Sequence, residues 1–244
     1  MKAKAISLTH PLKQHVRTGL LVLLISLLLS GLWGQVVRAE WELKDEKDGI
    51  KVFVQKVPGS DYDEFKGVVT LKTSVASVLA MLDDTPSYTK WIDKCAEAKL
   101  IKLLSFTERY IYQVSDLPWP VDDRDVVIHS VITQEAETKA IIVSTEADAK
   151  YEYPSSDSDN VRVPFSQGYY RILDVGDGQT EITWRLHTVP GGSIPTSLVN
   201  ALLVEMPMNT LKNLKKEIMQ KKYQTAAFEF SPEGSPIGWA VKEW

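Results

Sequence analysis

From Leu198 to Ile218 the apolar positions fall at steps of three and four: Leu198, Val199, Leu202, Leu203, Met206, Thr210, Leu211, Leu214 and Ile218. That is one face of an α-helix, and it predicts a long helix within 190–223. Pro195 suits the first helical position, where a missing N–H is harmless. Gly191 and Gly192 let the chain turn sharply out of the preceding strand. Lys212, Lys215, Lys216, Lys221 and Lys222 gather at the end where cations complement the helix dipole. Pro207 interrupts the pattern, lacks the N–H that would reach the Leu203 carbonyl, and predicts a kink there. Met206 and Pro207 are therefore the expected gate.

Upstream the period changes to two. Ile50, Val52 and Val54 alternate with polar neighbours, as do Phe65, Gly67, Val69 and Leu71. Ser74 is a candidate N-cap for a helix carrying Val75, Val78, Leu79 and Leu82, and Asp83-Asp84-Thr85-Pro86 stops it. Residues 88–93 suit a short second helix. Strands are predicted at 98–104, 106–115, 124–133, 139–147, 167–175 and 179–189, the last two joined by Gly176-Asp177-Gly178. On 106–115, Phe106, Tyr110, Tyr112 and Val114 share one face and Arg109, Ile111 and Gln113 the other. Residues 40–49 read as a charged lead-in with Trp41 and Leu43 as docking points. Residues 150–160 read as a polar loop, and 225–244 as a locally docked tail. Short turns between strands imply an antiparallel sheet. Two helices cannot cover both of its faces, so an α+β fold with a strongly curved sheet gripping one long helix is the economical arrangement. A curved sheet and a kinked helix leave room for a cavity between them.

Composition sharpens this picture. The 44% hydrophobic and 25% charged fractions are those of a globular chain. Gly19–Gly34 is the strongly apolar run, short for a spanning helix, preceded by basic residues and followed by Val37-Arg38-Ala39. This is the pattern of a secretory signal cut after Ala39, giving a periplasmic or secreted domain; an uncleaved anchor is the alternative. The first 39 residues hold 5 of the 28 cations and no Asp or Glu, so residues 40–244 carry 23 cations against 32 anions. A domain that acidic is a poor nucleic-acid binder.

Candidate chemistry is sparse. Cys95 is the one cysteine and only His129 and His187 lie beyond the leader, so neither a disulfide nor a thiol–imidazole pair is indicated. Asp122, Asp123 and Asp125 read as turn residues rather than metal ligands. Arg124 and Asp125 read as an ion pair holding a loop to the sheet, with a role in orienting a polar ligand head as the functional alternative. His187 reads as a surface strand position.

Three blocks, LPWPVDDRDVVI (117–128), VRVPFSQGYYRI (161–172) and TEITWRLHTVPGGSIPTSLVN (180–200), occur in the order found in the START lipid-transfer domain, which the chain resembles over roughly 40–223, in its bacterial branch. The resemblance implies a helix-grip fold with a tunnel for one lipid or other hydrophobic molecule, no metal, no cofactor and no catalytic group. It points to Tyr112, Trp119, Arg124, Ile128, Ser130, Trp184 and Leu186 on the sheet side, and Leu198, Leu202 and Met206 on the helix, as ligand-binding residues. Sterol-binding animal members carry a buried Arg six residues past the Arg of the first block. Here that position is Ser130, so no sterol preference carries over. The expected function is non-enzymatic binding, with transfer or sensing as its use, by a monomer in transient contact with a membrane. An enzyme of the helix-grip superfamily, cyclase- or hydratase-like, is the alternative, with Arg109, Tyr112 or Asp116 as its titratable group. A scaffold using Trp239 and Trp244 is a third reading.

Overall fold

The computed structural model describes residues 40–233 and 236–241. The leader, its cut after Ala39, and Trp244 lie outside the described residues. The strands are β1 (Glu42–Lys47), β2 (Ile50–Gln55), β3 (Glu64–Leu71), β4 (Cys95–Ser105), β5 (Glu108–Ser115), β6 (Arg124–Gln134), β7 (Ile141–Ala147), β8 (Val161–Arg162), β9 (Phe165–Gly176), β10 (Gln179–Val189), β11 (Ala226–Phe230) and β12 (Pro236–Val241). The helices are α1 (Val75–Asp83), α2 (Tyr88–Trp91), α3 (Thr196–Glu217) and α4 (Lys221–Gln224).

Strands β1 to β10 form one sheet in the order β1-β2-β3-β10-β9-β7-β6-β5-β4, with β8 pairing in parallel with β6 and every other pair antiparallel. The non-sequential neighbours β3 and β10 join early and late strands through an eight-residue register from Thr180–Leu71 to His187–Glu64. This is the expected helix-grip arrangement of a large antiparallel sheet and a long C-terminal helix.

Local signals account for most elements. Ser74 caps α1, its Oγ accepting from the Ser77 amide at 3.1 Å. Pro195 stands one residue earlier than expected, as the N-cap of α3 with extended backbone rather than as its first helical residue. The long helix stops at Glu217, and 221–224 form the separate turn α4, so Tyr223 is not on α3. Two stretches without a strand pattern in the sequence nevertheless form strands. The lead-in forms β1, paired with β2, with all six of its residues exposed. The tail forms the β11–β12 hairpin, which packs on α1.

The core has an uneven distribution. Helix α3 crosses β2 and β3, and its C-terminal half is buried there: Leu211 and Leu214 are fully buried, and Leu211 Cδ1 stands 2.7 Å from where a Cβ on Gly67 would sit. The Asp93 amide donates to Thr210 Oγ1 at 3.0 Å and ties α3 to the end of α2. The N-terminal half of α3 is different. Val199, Leu202 and Met206 are only half-buried, and they face a void.

Candidate functional site

That void is a cavity of about 240 Å³ between the concave face of the sheet, α1, α2 and the first half of α3. Alternate residues of β6 line it from end to end: Arg124, Val126, Ile128, Ser130 and Ile132. Arg109, Ile111, Gln113 and Ser115 do the same on antiparallel β5, so Ser115 is register partner of Arg124 at one end and Arg109 of Ser130 at the other. Six strand steps separate the two arginines, or roughly 20 Å at about 3.3 Å per residue. The wall between them is largely apolar, with Ile128, Val143, Trp184, Leu186 and Leu202, and Gln113 and Thr145 are polar exceptions. Trp184 stacks on Tyr170 (5.3 Å between centroids) and meets Phe65 edge-on (4.7 Å), so its ring is locked rather than free to fill the space.

At the first end Arg124 is buried, and its donors are taken by backbone carbonyls: Gly191 O at 3.0 Å, Pro190 O at 3.4 Å, and Asp122 O. Gly191 and Gly192 both have positive φ, and a Cβ on Gly192 would meet Arg124 Nη2 at 3.2 Å. The tight Pro190–Gly192 turn that leads into α3 therefore rests on this guanidinium. Arg124 and Asp125 are not an ion pair, because consecutive strand residues point to opposite faces. Asp125 points outward and takes two bonds from Arg162, at 2.8 and 3.0 Å, and one from the Tyr112 hydroxyl at 3.0 Å.

At the second end Arg109 is also buried. It pairs with Asp83 at the end of α1, donates to Phe106 O at 3.1 Å, and lies under the Trp239 ring at 6.0 Å from its centroid. Burial lowers the Arg109 pKa from its ordinary value. Two phenols on the wall, Tyr88 and Tyr170, are driven up by burial and stay neutral at physiological pH.

Seven of the ten expected ligand-binding residues line this cavity: Arg124, Ile128, Ser130, Trp184, Leu186, Leu202 and Met206. Three do not. Tyr112 lies on the convex face, fully buried under the 148–160 segment, its ring 5.0 Å from that of Tyr153. Both faces of β5 carry apolar residues, and the more aromatic one is the outer one, covered by Tyr151 and Tyr153. Trp119 is 92% exposed in the loop before β6. Leu198 is half-buried on α3 but stands clear of the cavity, which its neighbour Val199 lines instead. The wall also includes Trp91, Tyr170 and Trp239, which sequence reasoning did not assign to it. Trp91 and Tyr170 were hidden among ordinary apolar positions, and Trp239 lay in a stretch without periodicity.

Other candidates lead elsewhere. Cys95 is buried, donates to Glu97 O, and has its thiol pushed up to about 12 by burial, which makes it a poor nucleophile. Asp116 is exposed. Among the described residues no cluster has the make-up of a metal site. His187 is half-buried in a groove on the convex face, where its Nε2 lies 3.1 Å from Ser60 Oγ. Among the described residues no carboxylate bonds to its other ring nitrogen, and the Ser60 hydroxyl is engaged by the Tyr62 amide, so the pair lacks the orienting group of a catalytic set.

The comparisons with known proteins agree with this architecture. The START domain family model matches residues 32–225. This chain belongs to the START domain family. An uncharacterized protein of Pseudomonas aeruginosa is 38% identical over 185 residues, 76% of this chain and 90% of that one. Among solved structures, a STAR-related lipid transfer protein fragment from Xanthomonas axonopodis is 36% identical with a TM-score of 0.68, covering 74% of this chain and 99% of its own. Human STARD10 has the same fold at 22% identity, with a TM-score of 0.63, and covers 83% of this chain and 87% of its own. The START match ends at residue 225, so the β11–β12 hairpin lies beyond it.

Proposed function

We propose that this START protein binds one elongated hydrophobic molecule in the cavity between its sheet and α3, as an exported carrier or sensor that performs no chemistry on it. The observation that carries the reading is the cavity itself: a largely apolar wall that runs about 20 Å by strand geometry between two buried arginines, each of whose guanidinium groups is already bonded within the protein. Such a site rewards burial of an apolar chain at roughly 25 cal/mol per Å². The 36% identical Xanthomonas relative, described as a lipid transfer protein, supports a lipid-like ligand.

A non-enzymatic role is supported by the fate of the three titratable candidates. Tyr112 faces away, Asp116 is exposed, and Arg109 is held by Asp83. Export is supported by the basic, apolar leader and its Val37-Arg38-Ala39 end.

Native mass spectrometry of the protein purified from its own host tests the binding reading. A mass increment that disappears on organic extraction, and returns on incubation with a total lipid extract, is expected. Protein that is always empty and ignores the extract would overturn it. N-terminal sequencing of the mature chain tests export, with Glu40 expected first.

A further inference from the structure

We infer that the C-terminal hairpin is part of the binding site and that Trp239 is its length gauge, the residue that sets how long a chain the cavity accepts. The inference rests on the reading that the cavity takes a hydrophobic molecule.

Trp239 comes from β12, beyond the residues that match the family, yet it lines the cavity. It sits at the end defined by Arg109. Its ring meets Phe106 edge-on, with centroids 6.4 Å apart, and covers the Arg109 guanidinium. The hairpin is anchored on α1, where Ala226 is buried and Trp239 packs against the main core. Asp83, the partner of Arg109, is the last residue of that same helix. One wall of this end therefore comes from β5, one from α1 and the stopper from β12. An apolar chain that enters beside α3 and runs along β6 toward Ile132 meets the indole, and behind it a neutralised ion pair that offers no free charge to a polar head. A bulky flat ring held on two sides suits a fixed stop.

The test uses the full-length protein and displacement of anilinonaphthalene sulfonate by saturated fatty acids of increasing length, each below its micelle concentration. Wild-type affinity is expected to rise roughly fourfold per added methylene, then break where the chain reaches Trp239. In Trp239→Ala the break moves to longer chains, and acids just past the wild-type limit bind about tenfold tighter or more, as two further buried methylenes would give. Trp239→Leu, which keeps an apolar filler against Phe106, gives an intermediate limit and decides the question if the alanine variant loses its melting transition. Phe230→Ala, on the exposed part of the hairpin, leaves the limit in place. An unchanged break in the Trp239 variants would overturn the inference while leaving the binding reading intact. Absence of displacement by any acid from wild-type protein would overturn the binding reading, and this inference with it.

Discussion

Arg109 and Ser130 are directly opposed across β5 and β6, and both face the cavity. At this β6 position the chain has a hydroxyl, and a guanidinium stands opposite it on the neighbouring strand. That guanidinium reaches the end of α1, where Asp83 answers it. The charge at this end of the cavity thus depends on a helix–strand contact that no pattern within β6 could disclose.

The two partners of that ion pair are not equivalent. Arg109 is buried while the Asp83 side chain is 41% exposed. Asp83→Asn leaves a buried cation without its anion and is expected to cost about 2–3 kcal/mol. Arg109→Met removes the buried charge, leaves a carboxylate that water can reach, and is expected to cost less than about 1 kcal/mol. Denaturant unfolding of the two variants checks the order, and equal losses would contradict it.

Two glycines permit close approaches of different kinds. A Cβ on Gly168 would collide with the Arg185 backbone carbonyl across the β9–β10 pair, where neither strand can yield without breaking its register. A Cβ on Gly67 would press on Leu211 Cδ1, the far end of a side chain that can rotate, though in a full core. Gly168→Ala is expected to cost about 3 kcal/mol and Gly67→Ala about 1 kcal/mol. The Gly67 penalty should shrink in a Leu211→Ala background because the two sites touch. Chemical denaturation of the two single variants, and of the Gly67 change in that background, gives these values.

Asp125 makes part of the stability acid-sensitive. Burial pushes its carboxyl up, but the bonds from Arg162, Ser155 and Tyr112 and the Arg162 charge outweigh that and hold it below the ordinary 3.8. With the folded pKa below the unfolded one, the contribution is complete above about pH 3.8 and fades as the pH falls through the folded value. Asp125→Asn is expected to lower stability at pH 7, where Arg162 loses its partner, and to flatten the decline between pH 4 and 2. Unfolding midpoints across that range measure it, and parallel acid limbs would refute the assignment.

A void and a filled core respond oppositely to added volume. Ile128 is half-buried and faces the middle of the cavity. Ile128→Trp is expected to cost less than about 1 kcal/mol, below the 1–3 kcal/mol typical of overpacking. Fatty-acid binding should fall at least tenfold. Thermal melts and dye displacement on the same preparation check both halves.

Much of the site was legible because strand and helix periods are local properties. Ile128, Ser130, Trp184, Leu186, Leu202 and Met206 were placed by spacing and family blocks, and they meet in one cavity. The Tyr112 expectation fails because alternation divides a strand into two faces without saying which is inside, and on β5 the more apolar face is the outer one. The inner face was chosen by a distant segment, Tyr151 and Tyr153, that lies over the outer one. Strand β1 was unreadable for a related reason: five of its six residues are charged, all six are exposed, and backbone pairing with β2 makes it a strand.

What the chain's own order of residues determined was the alternating strands, the capped helix α1, the glycine turn before α3, and the apolar stripe along α3. Each depends on neighbours within a few positions. The three-dimensional fold alone decided that the stripe is buried over its second half and roofs a void over its first, that Arg109 meets Asp83, and that Trp239 returns from the C-terminus to close the far end. Those outcomes join residues tens to more than a hundred positions apart, and short-range spacing carries no record of contacts at that separation.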